Sequence, residues 1–169
     1  MNSSTDIADE VLTSIRQIVR RISEHSKYLT REVGLTVPQL MCLKAIGELE
    51  VREPEITVNM VGKRVQLAPA TASRIIDRLV RSGLVTRERR SKDRRRVCLS
   101  LTPAGLERFQ TLPMPLQEKF LQRLGSLPDD ERQALLDALK RIVELMDAER
   151  LDAAPILTPG LDVKENDPQ

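Results

Sequence analysis

Thr71, Arg74, Arg78 and Arg81 follow one another at steps of three, four and three, a spacing that lines side chains along one face of a helix. Arginine is permanently charged and presents its donors in a rigid fork that matches phosphate oxygens and other paired acceptors. A denser basic cluster follows at Lys92, Arg94, Arg95 and Arg96, with Asp93 the one acid inside it. From Lys63 to Arg96 the chain holds twelve basic residues against Asp77, Glu88 and Asp93, a net +9, so the rest carries −7 of the total +2. A basic module on an acidic scaffold points to a polyanionic partner.

Other chemistries find little support. One histidine and two separated cysteines cannot build a closed zinc shell. There is no nucleophile–base pair and no glycine-rich phosphate loop, so enzymatic function and a bound cofactor are not expected. The five methionines and Cys42 read as core residues. Cys98 is expected to face away from Val97 and Leu99, with arginines nearby that could lower its pKa, which leaves thiol sensing open. No run of about 18 apolar residues is present, and MNSSTDIADE lacks the basic and apolar segments of a signal peptide. A cytoplasmic protein with no membrane partner is expected.

The elements that must carry these residues can be read from periodicity and caps. Ile7, Val11, Ile15, Ile18, Ile22, Leu29 and Val33 form one apolar stripe on a long helix over about residues 6–32. Gly34 ends it, and Thr36-Val37-Pro38-Gln39 has the spacing of a capping box. Ile56-Thr57-Val58 reads as a short strand, though Thr57 could equally cap a third helix through Val65. Pro69 suits the first turn of a fourth helix. Behind its arginines, Ala72, Ile75, Ile76, Leu79 and Val80 make an apolar face, and Gly83 stops it. Two short helices, the second apolar behind and basic in front, describe a helix-turn-helix. Residues 84–89 and 96–101 read as strands around a polar hairpin tip, a wing. Thr102-Pro103 opens another helix, Leu112-Pro113-Met114-Pro115 interrupts it, and Phe120, Leu121 and Leu124 resume the pattern. Leu135, Leu139, Ile142, Val143 and Met146 mark the buried face of a last helix. The fold class expected is mainly α with a small β-wing.

In this order, Ser73-Arg74-Ile75-Ile76-Asp77-Arg78-Leu79 through Gly83-Leu84-Val85, Asp93-Arg94-Arg95, and Leu99-Ser100-Leu101-Thr102-Pro103-Ala104-Gly105 resemble the MarR family of bacterial regulators over roughly residues 7–146. The resemblance implies a winged helix-turn-helix lobe at 36–101 and a helical dimerisation region from 6–33 and 103–148, while residues 149–169, rich in Pro, Asp and Gly and without periodicity, are expected to form a disordered acidic tail. It implies a homodimeric repressor that reads a near-palindromic operator in double-stranded DNA. Pro69, Ala70, Thr71, Ser73 and Arg74 would then lie near base edges, with Arg78 and Arg81 nearer phosphates. Lys92, Asp93, Arg94, Arg95 and Arg96 would form the wing, with Arg95 in a minor groove and Asp93 orienting an arginine. Relatives bind effectors between the helical and DNA-binding regions, which nominates His25, Tyr28 and Met41 for a pocket whose ligand the sequence does not name. The stretch from Arg21 to Ile46 is also similar to relatives that repress ectoine or other compatible-solute genes. Met60 and Ala68 depart from the family by lacking capping side chains. A winged-helix protein-interaction module and a thiol-based redox regulator are the alternatives.

Overall fold

The computed structural model describes residues 3–88, 97–151, 153 and 155–159. It is built as α1 Ser3–Tyr28, α2 Val37–Glu50, α3 Val58–Val65, α4 Pro69–Arg81, β1 Val85–Glu88, β2 Cys98–Leu101, α5 Pro103–Gln110, α6 Leu116–Gly125 and α7 Asp129–Leu145. Two compact units result, one holding α1 to α5 with both strands and residues 155–159, the other holding α6 and α7.

In the first unit α2, α3 and α5 begin where a threonine side chain satisfies a free amide of the first turn. Thr36 accepts from the Gln39 amide while the Gln39 side chain accepts from the Thr36 amide, a complete capping box. Thr57 caps α3 by accepting from the Met60 amide. Ala68, at the head of α4, offers no such bond. Pro69 at the next position removes one of the amides that would need a partner. α1 ends in a wider π-helical turn, Leu29–Val33, closed by Gly34 in the left-handed region at φ 72°.

The core gathers Leu29, Leu40, Leu43, Ile46, Val61, Ala72, Ile76, Leu79, Val85 and Leu99. These come from α1's end, α2, the helix-turn-helix and both strands. Gly62 lets α3 and α4 cross closely: a Cβ there would stand 3.0 Å from the Leu67 carbonyl and 3.4 Å from the Ala72 Cβ. β1 and β2 pair antiparallel, with Val85 opposite Leu101 and Glu88 opposite Cys98. Ile56 is no strand of its own. It makes a single bridge to Leu99, whose amide donates to the Ile56 carbonyl at 2.8 Å, and Val58 already belongs to α3.

The Thr102-Pro103-Ala104-Gly105 stretch acts as a clasp behind the wing. The Thr102 hydroxyl donates to the Gly83 carbonyl at 2.7 Å and accepts from the Gly105 amide at 2.9 Å. Gly105 is the one residue type that fits, since an added Cβ would lie 1.9 Å from the Leu84 carbonyl oxygen. Nearby, the Glu50 carboxylate accepts from the Leu101 amide at 2.7 Å, so the end of α2 holds the base of β2.

Two expectations change at the C-terminal side. Ile156 falls in the stretch expected to be disordered, yet it is 2% exposed and belongs to the core of the first unit. An isolated apolar side chain carries no periodicity, so nothing local marks it as a packing residue. On α7, Leu135, Leu139, Val143 and Met146 are 41–57% exposed instead of buried. The stripe is genuine, but this chain leaves much of it open. Likewise Ile7, Leu12, Ile18 and Val19 of α1 remain exposed. No described helix is long and apolar enough to cross a membrane.

Candidate nucleic-acid interface

α4 is amphipathic in the sense the sequence predicts. Ala72, Ile75, Ile76 and Leu79 are buried, while Pro69, Ala70, Arg74, Arg78 and Arg81 are exposed. The apolar face locks the helix onto α2 and α3, and this fixes the rotation that turns the arginines outward. Arg74 and Arg81 lie seven residues apart, close to two turns, so they share a face about 10 Å apart along the axis. None of Arg74, Arg78 and Arg81 forms an ion pair among the described residues. Three guanidinium groups in a row, unpaired among the described residues, present a positive field that attracts an extended anion. Thr71 and Ser73 are only half exposed.

Other cations of this surface are engaged. Arg64 of α3 bonds Glu48 of α2 at 3.0 Å, and Lys44 meets the same carboxylate at 3.6 Å. Arg87 of β1 meets Asp77 of α4 at 2.8 Å, and its other terminal nitrogen donates to the Ser73 hydroxyl at 3.4 Å. By charge alone Arg87 is one cation among twelve, and the family resemblance puts Ser73 near base edges. The fold instead turns them toward one another, because β1 folds back beside α4 after Gly83. The only sequence signal was the opposite sign of Asp77 and Arg87, ten residues apart.

Lys92, Asp93, Arg94, Arg95 and Arg96 lie outside the described residues, as do Arg89 and Arg90. The described residues end with Glu88 of β1 and resume at Val97, just before β2, and Glu88 pairs with Cys98.

The two thiols are both enclosed. Cys42 is wholly buried in α2, and burial pushes its pKa up to about 12. Cys98 is 2% exposed, contrary to the solvent-facing position expected from alternation. The alternation rule presumes a strand with one free face. β2 lies between β1 and the Ile56 backbone, and its first two residues are both covered. Of the three pocket candidates, His25 is buried, Tyr28 is 50% exposed and Met41 packs partly against the core. Among the described residues no three acids, histidines or cysteines gather as a metal site would require.

Comparison with known proteins agrees with this arrangement. The model of the MarR family matches residues 33–96, a range that holds α2, α3, α4 and β1. The HTH-type transcriptional repressor MdtR of Bacillus subtilis is 25% identical over 134 residues, covering 78% of this chain and 82% of its own. The PcaV transcriptional regulator of Streptomyces coelicolor superposes with a TM-score of 0.52 at 27% identity, over 80% of this chain and 96% of that one. MepR of S. aureus, solved in complex with DNA, shares the fold with a TM-score of 0.55 at 18% identity, over 79% of this chain and 96% of that one.

Proposed function

Since the chain belongs to the MarR family of winged-helix DNA-binding transcriptional regulators, we propose that it is a homodimeric repressor that reads a near-palindromic operator in double-stranded DNA. The observation that carries this reading is the row Arg74, Arg78 and Arg81, exposed and without acidic partners among the described residues, on a helix whose other face is locked into the core. In the proposed complex α4 enters the major groove. Pro69, Ala70, Thr71 and Arg74 approach base edges, while Arg78 and Arg81 meet phosphates. Arg95, with Lys92, Arg94 and Arg96 around it, serves the minor groove, where narrow A·T-rich sequence concentrates negative potential.

Dimerisation is supported by the apolar side chains left exposed on α1 and, separately, on α7. Exposed apolar area of that kind is what a second copy would cover. The regions 6–33 and 103–148 are assigned to this role and 36–101 to DNA. A two-fold dimer would set the two reading helices about 34 Å apart, one turn of the duplex. Repression is the mode carried by the similar MdtR. Compatible-solute genes are the proposed targets on the resemblance of residues 21–46, and footprinting upstream of such genes is the direct check.

The deciding experiment is a salt titration of binding to a duplex selected by the protein from a randomised pool, with light scattering on the free protein. A dimer whose log affinity falls steeply with log salt, by roughly 0.9 per phosphate neutralised, is the expected result. A monomer at micromolar concentration would remove the palindrome. Salt-independent binding, or none, would favour a winged-helix module that grips another protein.

A further inference from the structure

Asp77 is an acid on the very helix whose exposed face is otherwise cationic. For a polyanion-binding surface a carboxylate there is unfavourable unless it does something else. Its oxygen sits 2.8 Å from Arg87 of β1, and the same guanidinium donates to Ser73 at 3.4 Å. Asp77 and Ser73 lie four residues apart, one turn, so a single fork spans one turn of α4. Arg87 in turn stands mid-strand, paired with Leu99 of β2, which anchors to the Ile56 carbonyl and to the core. We propose that Asp77, Arg87 and Ser73 form a brace that fixes the wing strands in register with the reading helix. Arg87 is thus a positioning residue and not a phosphate contact.

The brace rests on the DNA-binding reading and deepens it. Arg74 and the wing must meet the duplex at once, in neighbouring grooves. A wing free to swing about Gly83 would have to be ordered on every binding event, and that cost falls on the bound state. Gly83 adopts φ 73°, a conformation with little side-chain restraint of its own, so the strand that follows gains its direction from contacts further on. The Leu84 carbonyl is held by the Thr102 amide at 3.1 Å on the far side of the hinge. Arg87 supplies the matching hold on the DNA side. The pair is partly solvent-exposed, so its loss should hardly move the folding equilibrium. Its effect should fall on recognition.

The signs of the outcomes separate this inference from plain electrostatics. Simple charge reasoning says that Asp77→Ala, which deletes a negative charge, tightens binding to any duplex. The brace says that Asp77→Ala weakens the selected duplex and lowers the ratio of selected to scrambled affinity, by about threefold to tenfold. Arg87→Met should do the same while leaving the salt slope on scrambled duplex unchanged. The double variant should be no worse than either single one. The swapped pair Asp77→Arg with Arg87→Asp keeps an ion pair and should recover part of the ratio. The inference is overturned if Asp77→Ala strengthens both duplexes alike, if the two losses add, or if Arg87→Met flattens the slope by about 0.9 per protomer, as a lost phosphate contact would. The wild-type titration reports on the DNA-binding reading by itself: a wild type that does not distinguish the two duplexes ends both, whereas a discriminating wild type with additive variants ends only the brace.

Discussion

Arg74 and Arg81 offer the sharpest test of how α4 meets DNA, because they are alike in chemistry and differ in place. Arg74 is the sixth residue of the helix and Arg81 the last. Both are exposed, and neither bonds within the described chain. Changing Arg74 to Ala should therefore alter folding by no more than about 0.5 kcal/mol. Arg81 also sits in the last turn, where a cation favours the helix dipole, so Arg81→Ala costs folding a further ~0.3–1 kcal/mol. On DNA the order of effects reverses. A bidentate arginine–guanine contact discriminates by about 1–3 kcal/mol per half-site, so Arg74→Ala should weaken the selected duplex by roughly fivefold to over a hundredfold per half-site while sparing scrambled DNA. Arg81→Ala removes one phosphate contact per protomer, and a dimer should lose about 1.8 from its log–log salt slope on both duplexes. Fluorescence anisotropy at four or five salt concentrations, with thermal denaturation alongside, reads all of these. Equal losses for both variants on both duplexes would refute the assigned orientation of the helix, whatever the affinity of the wild type.

Two further predictions concern the interior. Ile156→Ala should lower stability in urea denaturation by about 2–5 kcal/mol, the range for emptying a buried aliphatic site. A change within about 0.5 kcal/mol would mean that the segment does not pack in solution. Cys42 has its pKa raised by burial to about 12, so it remains a protonated thiol from acid through neutral pH. With Cys98 enclosed as well, thiol reagents should label the native protein slowly and both cysteines rapidly once it unfolds, since the thiolate is the reactive form. Rapid native labelling coupled to loss of DNA binding would restore the redox-sensing alternative.

Local rules made much of this molecule legible from its residues alone. Thr36 with Gln39, Thr57, Pro69, Thr102 with Pro103, and Pro113 with Pro115 mark helix ends because a cap or a missing amide acts within a single turn. The buried face of α4 was equally plain, since 3.6-residue periodicity is a property of the helix before anything packs on it. Cys98 and Ile156 depart from what local patterns predict, for one shared reason. Periodicity and alternation say which face is apolar or polar, but not what comes to cover it. Arg87 reaching Ser73 and Asp77, the Ile56 backbone closing over β2, and Ile156 entering the core all depend on segments far apart in sequence meeting in space. The same holds for Gly105, whose necessity is invisible until the Leu84 carbonyl is seen against it. The sequence determined the helices, their caps and the charge of the reading face. The tertiary structure decided which charges stay free, because an arginine is available to a partner only after the fold has taken those that it needs for itself.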